Sequence, residues 1–215
     1  MLIYFARLAS ETCKTERWTV MTDPHISQKI SRFPVPEFNQ LPEDIQKMLT
    51  EVSDKAGFIP NVFLTLAYRP DELRAFFGYH NALMLRKSGI SKAEKEMIIV
   101  ATSAENSCLY CVIAHGAILR IYAKSGSLSD QIATNYRKAD ITKRQCAMLD
   151  FAVKVCNHSA AVAEDDFATL AAHGFSEDDI WDIAGIVSLF ALSNRMASVT
   201  AMRPNDEFYQ MGRGI

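Results

Sequence analysis

The 215 residues are 49% hydrophobic and carry a formal net charge of −2 at pH 7, which supports one hydrophobic core and offers no basic footprint for nucleic acid or acidic membranes. The five cysteines, an odd number, argue against a secreted disulfide scaffold. No apolar run reaches the length that a bilayer requires, so we expect a cytoplasmic protein with neither nucleic-acid nor membrane partners.

The first thirty residues differ from the rest of the chain. Residues 1–20 show no clear hydrophobic period, and the apolar stretch within Met1–Ala9 is too short and lacks the basic start of a signal peptide. Met21 opens a stretch that resembles a second start of the chain. We therefore predict a loosely ordered leader over residues 1–30 and one domain over residues 31–215.

From residue 42 onward the sequence predicts one helix after another. Pro42 suits the first position of a helix that ends at Gly57, and Asn61 is a candidate cap of a short helix. Pro70 opens a longer helix that stops at Gly89. Alternating strand patterns are nearly absent, so the predicted fold class is all-α.

The second half of the chain repeats this pattern with clearer start signals. Capping boxes are predicted at Ser91, Thr142 and Ser176, each with an acidic or amide side chain three residues later. Further helices are predicted from about residue 108 to 124, from 130 to 138 and from 164 to 172.

One segment of the chain is repeated at a constant offset. Residues 86–101 read Arg-Lys-x-x-Ile-Ser-Lys-x-Glu-x-x-Met-Ile-x-Val-Ala, and residues 137–152 read Arg-Lys-x-x-Ile-Thr-Lys-x-Gln-x-x-Met-Leu-x-Phe-Ala. Two unrelated capping boxes could converge on part of this signature. The shared flanking residues favour an internally duplicated helical unit, in which Glu96 corresponds to Ala147.

The sequence Cys108-x-x-Cys111-x-x-x-His115 carries the main chemical signal. Residues three and four apart share one face of a helix, so these three side chains fall on one stripe. Ser107 is the predicted N-cap, which places the cysteines near the positive end of the helix dipole, where a thiolate is favoured. A vicinal dithiol with a histidine one turn away predicts a redox site.

Two other interpretations compete with the redox site. A cysteine is often a small buried hydrophobic residue, and a histidine on an apolar helix is often a core residue. A structural zinc site would need a second ligand pair, for which Cys156 and His158 have poor spacing. We therefore expect no metal.

Glu96 precedes the cysteine helix and could reach His115 if two consecutive helices pack antiparallel. A carboxylate that accepts the imidazole N–H would raise the basicity of the ring. A solvated glutamate in the charged run 92–96 is an equally good interpretation. Glu105 is a second candidate, better explained as a helix-end residue.

The spacing of Glu96, Cys108, Cys111 and His115 resembles the active-site pattern of the alkyl hydroperoxide reductase D family, part of the carboxymuconolactone decarboxylase-like superfamily. The chain from residue 32 to 209 is similar to its peroxidase-related branch. The resemblance implies an all-α, AhpD-like helical bundle that forms trimers or hexamers. It also implies that Cys111 attacks the peroxide, that Cys108 resolves the sulfenic acid, and that Glu96 and His115 relay the proton. The family often has histidine where this chain has Tyr110.

The predicted function is therefore that of a thiol peroxidase with peroxiredoxin-type, antioxidant activity. Its partners would be a hydroperoxide and an external dithiol reductant of the lipoyl or thioredoxin-like kind. No haem, flavin or nucleotide motif occurs, so no cofactor is expected. The alternatives are a redox adaptor or disulfide-relay protein with little peroxide turnover, and a decarboxylase-type enzyme of the same fold.

The remaining reactive or bulky side chains are predicted to have structural roles and not chemical ones. An aromatic cluster is predicted to be core, with some members possible in a substrate channel, and Trp181 is placed in the core or at an interface. Cys13 lies in the predicted leader, and Cys146 and Cys156 are predicted to be ordinary buried or half-buried thiols. Three histidines have no partner at an informative spacing: His80, His158 and His173. The aromatic cluster comprises Phe58, Phe63, Phe76, Phe77 and Tyr79.

Overall fold

The computed structural model describes residues 29–214, so the predicted leader, Cys13 and Met21 lie outside the described residues, apart from the last two positions of that leader. Within 29–214 the secondary structure is helical and contains no strand, which confirms the all-α prediction. Its ten α-helices are Glu43–Ala56 (α1), Asn61–Leu66 (α2), Pro70–Met84 (α3), Lys92–Glu105 (α4), Leu109–Ala123 (α5), Leu128–Asn135 (α6), Lys143–His158 (α7), Glu164–Ala172 (α8), Glu177–Thr200 (α9) and Glu207–Gln210 (α10). Short 3-10 turns occupy Phe38–Gln40, Tyr136–Lys138 and Ser159–Ala161.

The core is built around α4, which packs against α5, α6, α7 and α9. Every residue from 94 to 103 is buried, including charged side chains that would normally face water. Lys95 is 2% exposed, and its ammonium donates hydrogen bonds to the carbonyl oxygens of Leu83 at 2.8 Å and Arg86 at 2.9 Å. This buried cation satisfies carbonyl groups at and just beyond the end of α3.

The three predicted capping boxes are all present. Ser91, Thr142 and Ser176 each accept a hydrogen bond from the third helical N–H, and the side chain at that third position bonds back to the cap. Two of these boxes open α4 and α7, the helices that begin the predicted repeat units, and these helices lie against each other. Local side-chain chemistry therefore fixes where these helices start.

Several predicted boundaries are wrong by a few residues. The helix α1 begins at Glu43, after Pro42, and α3 ends at Met84, five residues before Gly89. At the end of α3, Lys95 from the following helix donates hydrogen bonds to the carbonyl oxygens of Leu83 and Arg86. The side chain of Asn61 does not cap α2; it donates to the carbonyl oxygen of Arg203 at 2.8 Å.

The longest helix of the described residues is α9, Glu177–Thr200. By length and composition α9 could cross a membrane, contrary to the sequence analysis, but half of its most apolar stretch is buried against the rest of the protein, as in a core helix. Its outer face carries exposed apolar side chains, with Trp181 73%, Leu192 53% and Val199 56% exposed. Trp181 is therefore a surface residue of this chain and not a core residue, while its alternative position at an interface stays a prediction.

Candidate active site

The start of α5 differs by one residue from the sequence prediction. The N-cap is Cys108, with extended φ and ψ of −87° and 98°, and Ser107 adopts a left-handed φ of 51°. The carbonyl of Cys108 accepts the first helical bond from the N–H of Val112 at 3.1 Å. Ser107 as N-cap is therefore wrong, because the chain makes a tight left-handed turn there before the helix begins.

The two cysteines are free thiols that lie side by side in the interior. Cys108 is 2% exposed and Cys111 is 0% exposed. The Cys111 Sγ lies 3.6 Å from the Oγ of Ser193 on α9. Asn194, the next residue, donates to Ser103 Oγ at 2.9 Å. The dithiol is thus held between α5 and the polar face of α9.

The two thiols differ in their ionisation. A hydrogen bond from the Cys111 thiol lowers the pKa of Cys108 to about 7, with a smaller contribution from Asn194. Conversely, the pKa of Cys111 lies well above its ordinary value, because its proton is held by the Cys108 sulfur and because the group is buried. In the reduced site the negative charge therefore rests at the N-cap, where the helix dipole favours it.

Glu96 and His115 meet across α4 and α5. The Nδ1 of His115 lies 2.8 Å from Oε2 of Glu96, and these side chains are 14% and 0% exposed. Glu96 is therefore not a solvated surface residue. Burial raises the pKa of Glu96, and the nearby imidazole opposes that rise. A carboxyl and an imidazole at this distance can share one proton.

Glu105, the other candidate carboxylate, lies outside the site. It is exposed and accepts a hydrogen bond from Asn157 Nδ2 at 2.8 Å. This agrees with its interpretation as a helix-end residue.

Tyr110, which stands between the cysteines, has a structural contact. Its hydroxyl oxygen accepts a hydrogen bond from the N–H of Val62 at 3.1 Å, near the start of α2. Burial raises the pKa of Tyr110 well above its ordinary value, so the phenol stays neutral. A neutral phenol held in this way is a poor substitute for a histidine in proton transfer.

Two cavities adjoin the dithiol from different sides. A mainly apolar pocket of about 50 Å³, the more enclosed of the two and here called the closed pocket, is lined by His115 and by Ser193, whose hydroxyl lies 3.6 Å from Cys111 Sγ. An open cleft of about 550 Å³ has Cys108 in its wall, together with Ser198 and Arg203. The aromatic side chains of the closed pocket are Phe63, Phe76, Phe77, Phe190 and Phe208, together with Tyr110.

The predicted aromatic cluster therefore divides. Phe63, Phe76 and Phe77 line the closed pocket, with Phe63 and Phe77 stacked at 4.2 Å between ring centroids. Tyr79 is 49% exposed and does not belong to the core.

Sequence reasoning missed three residues at the site. Ser193 and Asn194 are two adjacent polar residues that follow a run of buried apolar residues on α9, and that interruption of the apolar pattern is a readable signal. His80 also lines the closed pocket, together with His115. It lies on α3, far from the cysteines in sequence, and its spacing gave no signal.

Two further cysteines are described besides the dithiol. Cys146 and Cys156 are free, half-buried thiols with pKa values raised by burial. Among residues 29–214, no group of three or more His, Cys, Asp or Glu side chains could hold a metal ion.

Comparison with known proteins identifies a family and solved structures to which the chain is similar. The model of the carboxymuconolactone decarboxylase family matches residues 70–156, which include the dithiol, Glu96 and His115. The crystal structure of an AhpD-core, uncharacterised peroxidase-related protein from Ralstonia eutropha JMP134 is 64% identical, with a TM-score of 0.86 over 87% of this chain and 98% of that one. An uncharacterised peroxidase-related protein from Silicibacter sp. TM1040 is 40% identical, with a TM-score of 0.83 over 90% of this chain and 100% of that one.

A more distant structure shares the fold alone. The debrominase Bmp8 is 21% identical, with a TM-score of 0.66 over 83% of this chain and 93% of that one. No curated protein matches the sequence.

Proposed function

Since the chain belongs to the AhpD-like carboxymuconolactone decarboxylase superfamily, we propose that it is a cysteine-based peroxidase that reduces hydroperoxides through Cys108 and Cys111. The observation that carries this proposal is the buried Glu96–His115 pair, one helical turn beyond Cys111 and at the wall of an apolar pocket. It supplies a proton acceptor and donor beside two oxidisable thiols.

In the proposed reaction the proton of the Cys111 thiol, which the Cys108 sulfur holds in the resting site, passes to His115, and this makes Cys111 the attacking thiolate. The thiolate attacks the terminal oxygen of the hydroperoxide, an S–O bond forms, and the O–O bond breaks. The released alkoxide takes a proton from His115 and leaves as an alcohol. The Cys111 sulfenic acid then reacts with Cys108, which forms the disulfide and releases water once the hydroxide is protonated.

The two cavities suggest separate routes for the two substrates. The hydroperoxide would enter the closed pocket, next to Cys111 and His115. An external dithiol would reach the Cys108 sulfur of the disulfide through the open cleft. A flexible lipoyl-type arm or a thioredoxin-like protein fits such a cleft, and its two thiols would supply the two electrons that restore the resting site.

We also propose a homo-oligomer, a trimer or hexamer, in the cytoplasm. The exposed apolar face of α9, with Trp181, Leu192 and Val199, is a surface that a neighbouring subunit would cover. The five cysteines, an odd number, fit a reducing compartment better than a secreted disulfide scaffold.

The test is a coupled peroxidase assay with tert-butyl hydroperoxide, dihydrolipoamide, its reductase and NADH. We expect sustained NADH consumption by the wild type and none above background by Cys111→Ser. Cys146→Ser is the matched control, since this half-buried thiol lies away from the dithiol, and it should keep wild-type turnover.

Other outcomes of this assay would select another function. One stoichiometric oxidation without turnover, with a range of dithiols, would contradict the peroxidase and favour the redox adaptor. Turnover that survives Cys111→Ser would contradict Cys111 as the attacking thiol. A protein that shows neither oxidation of the dithiol nor turnover would favour the decarboxylase-type alternative.

A further inference from the structure

The hydroxyl of Ser193 lies beside the sulfur that attacks the peroxide in the proposed reaction. Ser193 belongs to α9, is 8% exposed and lines the closed pocket. Its Oγ lies 3.6 Å from the Sγ of Cys111, which comes from α5. The proposed reaction moves a proton between Cys111 and His115 and so far gives this hydroxyl no part.

The contact of Ser193 differs from those of other hydroxyl groups on the same helix. A serine or threonine inside a helix commonly donates to the carbonyl oxygen four residues earlier. Three residues of α9 do so, at 2.7–2.9 Å: Ser188, Ser198 and Thr200. The hydroxyl of Ser193 instead meets a side chain of another helix, at the reacting sulfur.

The arrangement of protons in the reduced site makes Ser193 the donor in this contact. A thiol carries one proton, and the proton of Cys111 is held by the Cys108 sulfur. Cys111 therefore has no second proton to give to Ser193 Oγ. The Ser193 hydroxyl donates to Cys111 Sγ, and this hydrogen bond can persist when the thiol becomes a thiolate.

The proposed reaction creates a buried anion that needs such a donor. Cys111 is 0% exposed, so water does not solvate the thiolate that forms when its proton passes to His115. The Cys108 sulfur and burial raise the pKa of Cys111, whereas the Ser193 hydroxyl lowers it. Hydrogen bonds to an ionised group are stronger than those between neutral groups, so the contact strengthens as the charge develops.

We propose that Ser193 is a further catalytic residue, whose hydroxyl donates a hydrogen bond to the Cys111 thiolate as it attacks the hydroperoxide. The proposal rests on the proposed peroxidase function and deepens it. Ser193 keeps its own proton throughout the step. The Cys111 proton passes to His115, the S–O bond forms as the O–O bond breaks, and His115 returns that proton to the alkoxide. The loss of the hydroxyl would therefore slow the attack without blocking it.

Replacing Ser193 leaves the charged groups around the sulfur in place. Ionisable side chains face the dithiol or the closed pocket from α3, from α4 and from α5 with its N-cap: His80, Glu96, Cys108, Tyr110 and His115. Ser193→Ala removes none of them and changes no formal charge. A shift in the pH dependence of the attack can therefore be assigned to the hydrogen bond at Cys111.

The test measures, over a range of pH, the rate at which tert-butyl hydroperoxide oxidises the reduced dithiol in a single turnover. For Ser193→Ala we expect the rate at pH 7 to fall about 10-fold and the midpoint of its rise with pH to move up by about one unit, because the thiolate has lost a donor. Well above that midpoint the rate should approach the wild-type value. Ser193→Thr, which keeps a hydroxyl, should recover part of the rate at pH 7.

Ser188→Ala is the matched control, since that exposed hydroxyl donates to a carbonyl of its own helix, and it should keep the wild-type profile. A Ser193→Ala rate within about 2-fold of the wild type at pH 7 would overturn the role of Ser193 and leave the peroxidase intact. A rate lowered by the same factor at every pH would also overturn it, because Ser193 would then only support the fold. An inactive wild type would contradict the peroxidase itself and the Ser193 proposal with it.

Discussion

Cys108 gains acidity from its position at the helix start and from its neighbour. The N-cap lies where unpaired N–H groups favour an anion, and the Cys111 thiol donates to the Cys108 sulfur. Since a thiolate attacks alkylating reagents and a thiol does not, this acidity is directly measurable.

The pH profile of alkylation tests this interaction. For a thiol with a depressed pKa, the thiolate is present above that pKa and is lost as pH falls through it. In the wild type we expect the rate of Cys108 alkylation to rise through a midpoint near pH 7, from the pKa of about 7. In Cys111→Ala, which removes the donor, the midpoint should move up, and the rate at pH 7 should fall about 10-fold.

Cys111→Ser keeps a donor and is the matched control. It should retain a midpoint closer to that of the wild type. Equal midpoints in the alanine and serine variants would contradict the Cys111 hydrogen bond as the cause.

The Glu96–His115 pair predicts a second effect. Glu96→Gln keeps the shape of the side chain but removes the carboxylate that orients the imidazole and shares its proton. We expect kcat for peroxide to fall about 100-fold, as for the loss of a general acid–base group. Glu105→Gln, on the exposed end of the same helix, should leave kcat unchanged. Equal activity of the two variants would exclude the relay.

The sequence predicts those parts of the site that depend on local helical spacing, and it does not settle those that depend on tertiary packing. Cys108, Cys111 and His115 share one stripe because their spacing matches the helical period, and that spacing is visible in the sequence. The burial of Glu96 depends on how α4 packs against four other helices, so the sequence left two interpretations equal. His80 reaches the pocket from α3 through tertiary packing alone.

At the scale of elements, the helix starts that carry a capping box are predictable from the sequence, whereas other starts and several helix ends are not. Capping boxes at Ser91, Thr142 and Ser176 act within four residues, so the sequence contains them completely. The end of α3 depends on Lys95, whose ammonium arrives from the following helix. Gly89, which the sequence suggests as the end of α3, lies instead in the loop between α3 and α4.

Gly89 is required by the close approach of α9. Its N–H donates to Oδ1 of Asp179 at 2.7 Å, and an added Cβ would lie 2.5 Å from Asp179 Oδ2. Gly89→Ala should lower the free energy of unfolding by about 1–3 kcal/mol, because the loop and the start of α9 must separate.

Gly78 provides the matched control for that change. It lies within α3, and an added Cβ there meets nothing within 4 Å. Gly78→Ala should stabilise the protein by about 0.5–1 kcal/mol, since alanine favours a helix interior. Denaturant unfolding of both variants measures the difference, and destabilisation of equal size would contradict the close contact.

At the scale of the whole molecule, the C-terminal segment closes the site. Asn205 accepts the N–H of Asn61 at 2.7 Å and donates to the carbonyl oxygen of Ile59 at 3.0 Å. Arg120 binds the carbonyl oxygen of Phe208 at 2.8 Å, which holds this buried ring in the wall of the closed pocket. Segments that lie far apart in the sequence therefore together form the wall of one cavity.

Asn205→Ala tests this closure. The variant leaves one buried N–H and one carbonyl without their partner, so we expect unfolding free energy to fall by about 2 kcal/mol. Alkylation of Cys111 should become faster, since the wall over the dithiol loosens. Asp206→Ala changes a largely exposed neighbour and should alter neither quantity. A lower free energy of unfolding without faster alkylation of Cys111 would mean that the segment stabilises the fold but does not cover the site.

The central claim is that Cys108 and Cys111 together reduce a hydroperoxide. Its most direct test is a single-turnover titration of fully reduced protein with one equivalent of tert-butyl hydroperoxide, followed by thiol counting and peptide mass analysis. We predict the loss of two thiols per peroxide, one equivalent of tert-butanol, and a disulfide that joins Cys108 to Cys111. Unchanged thiols, or oxidation at Cys146 or Cys156 in place of this pair, would contradict the claim.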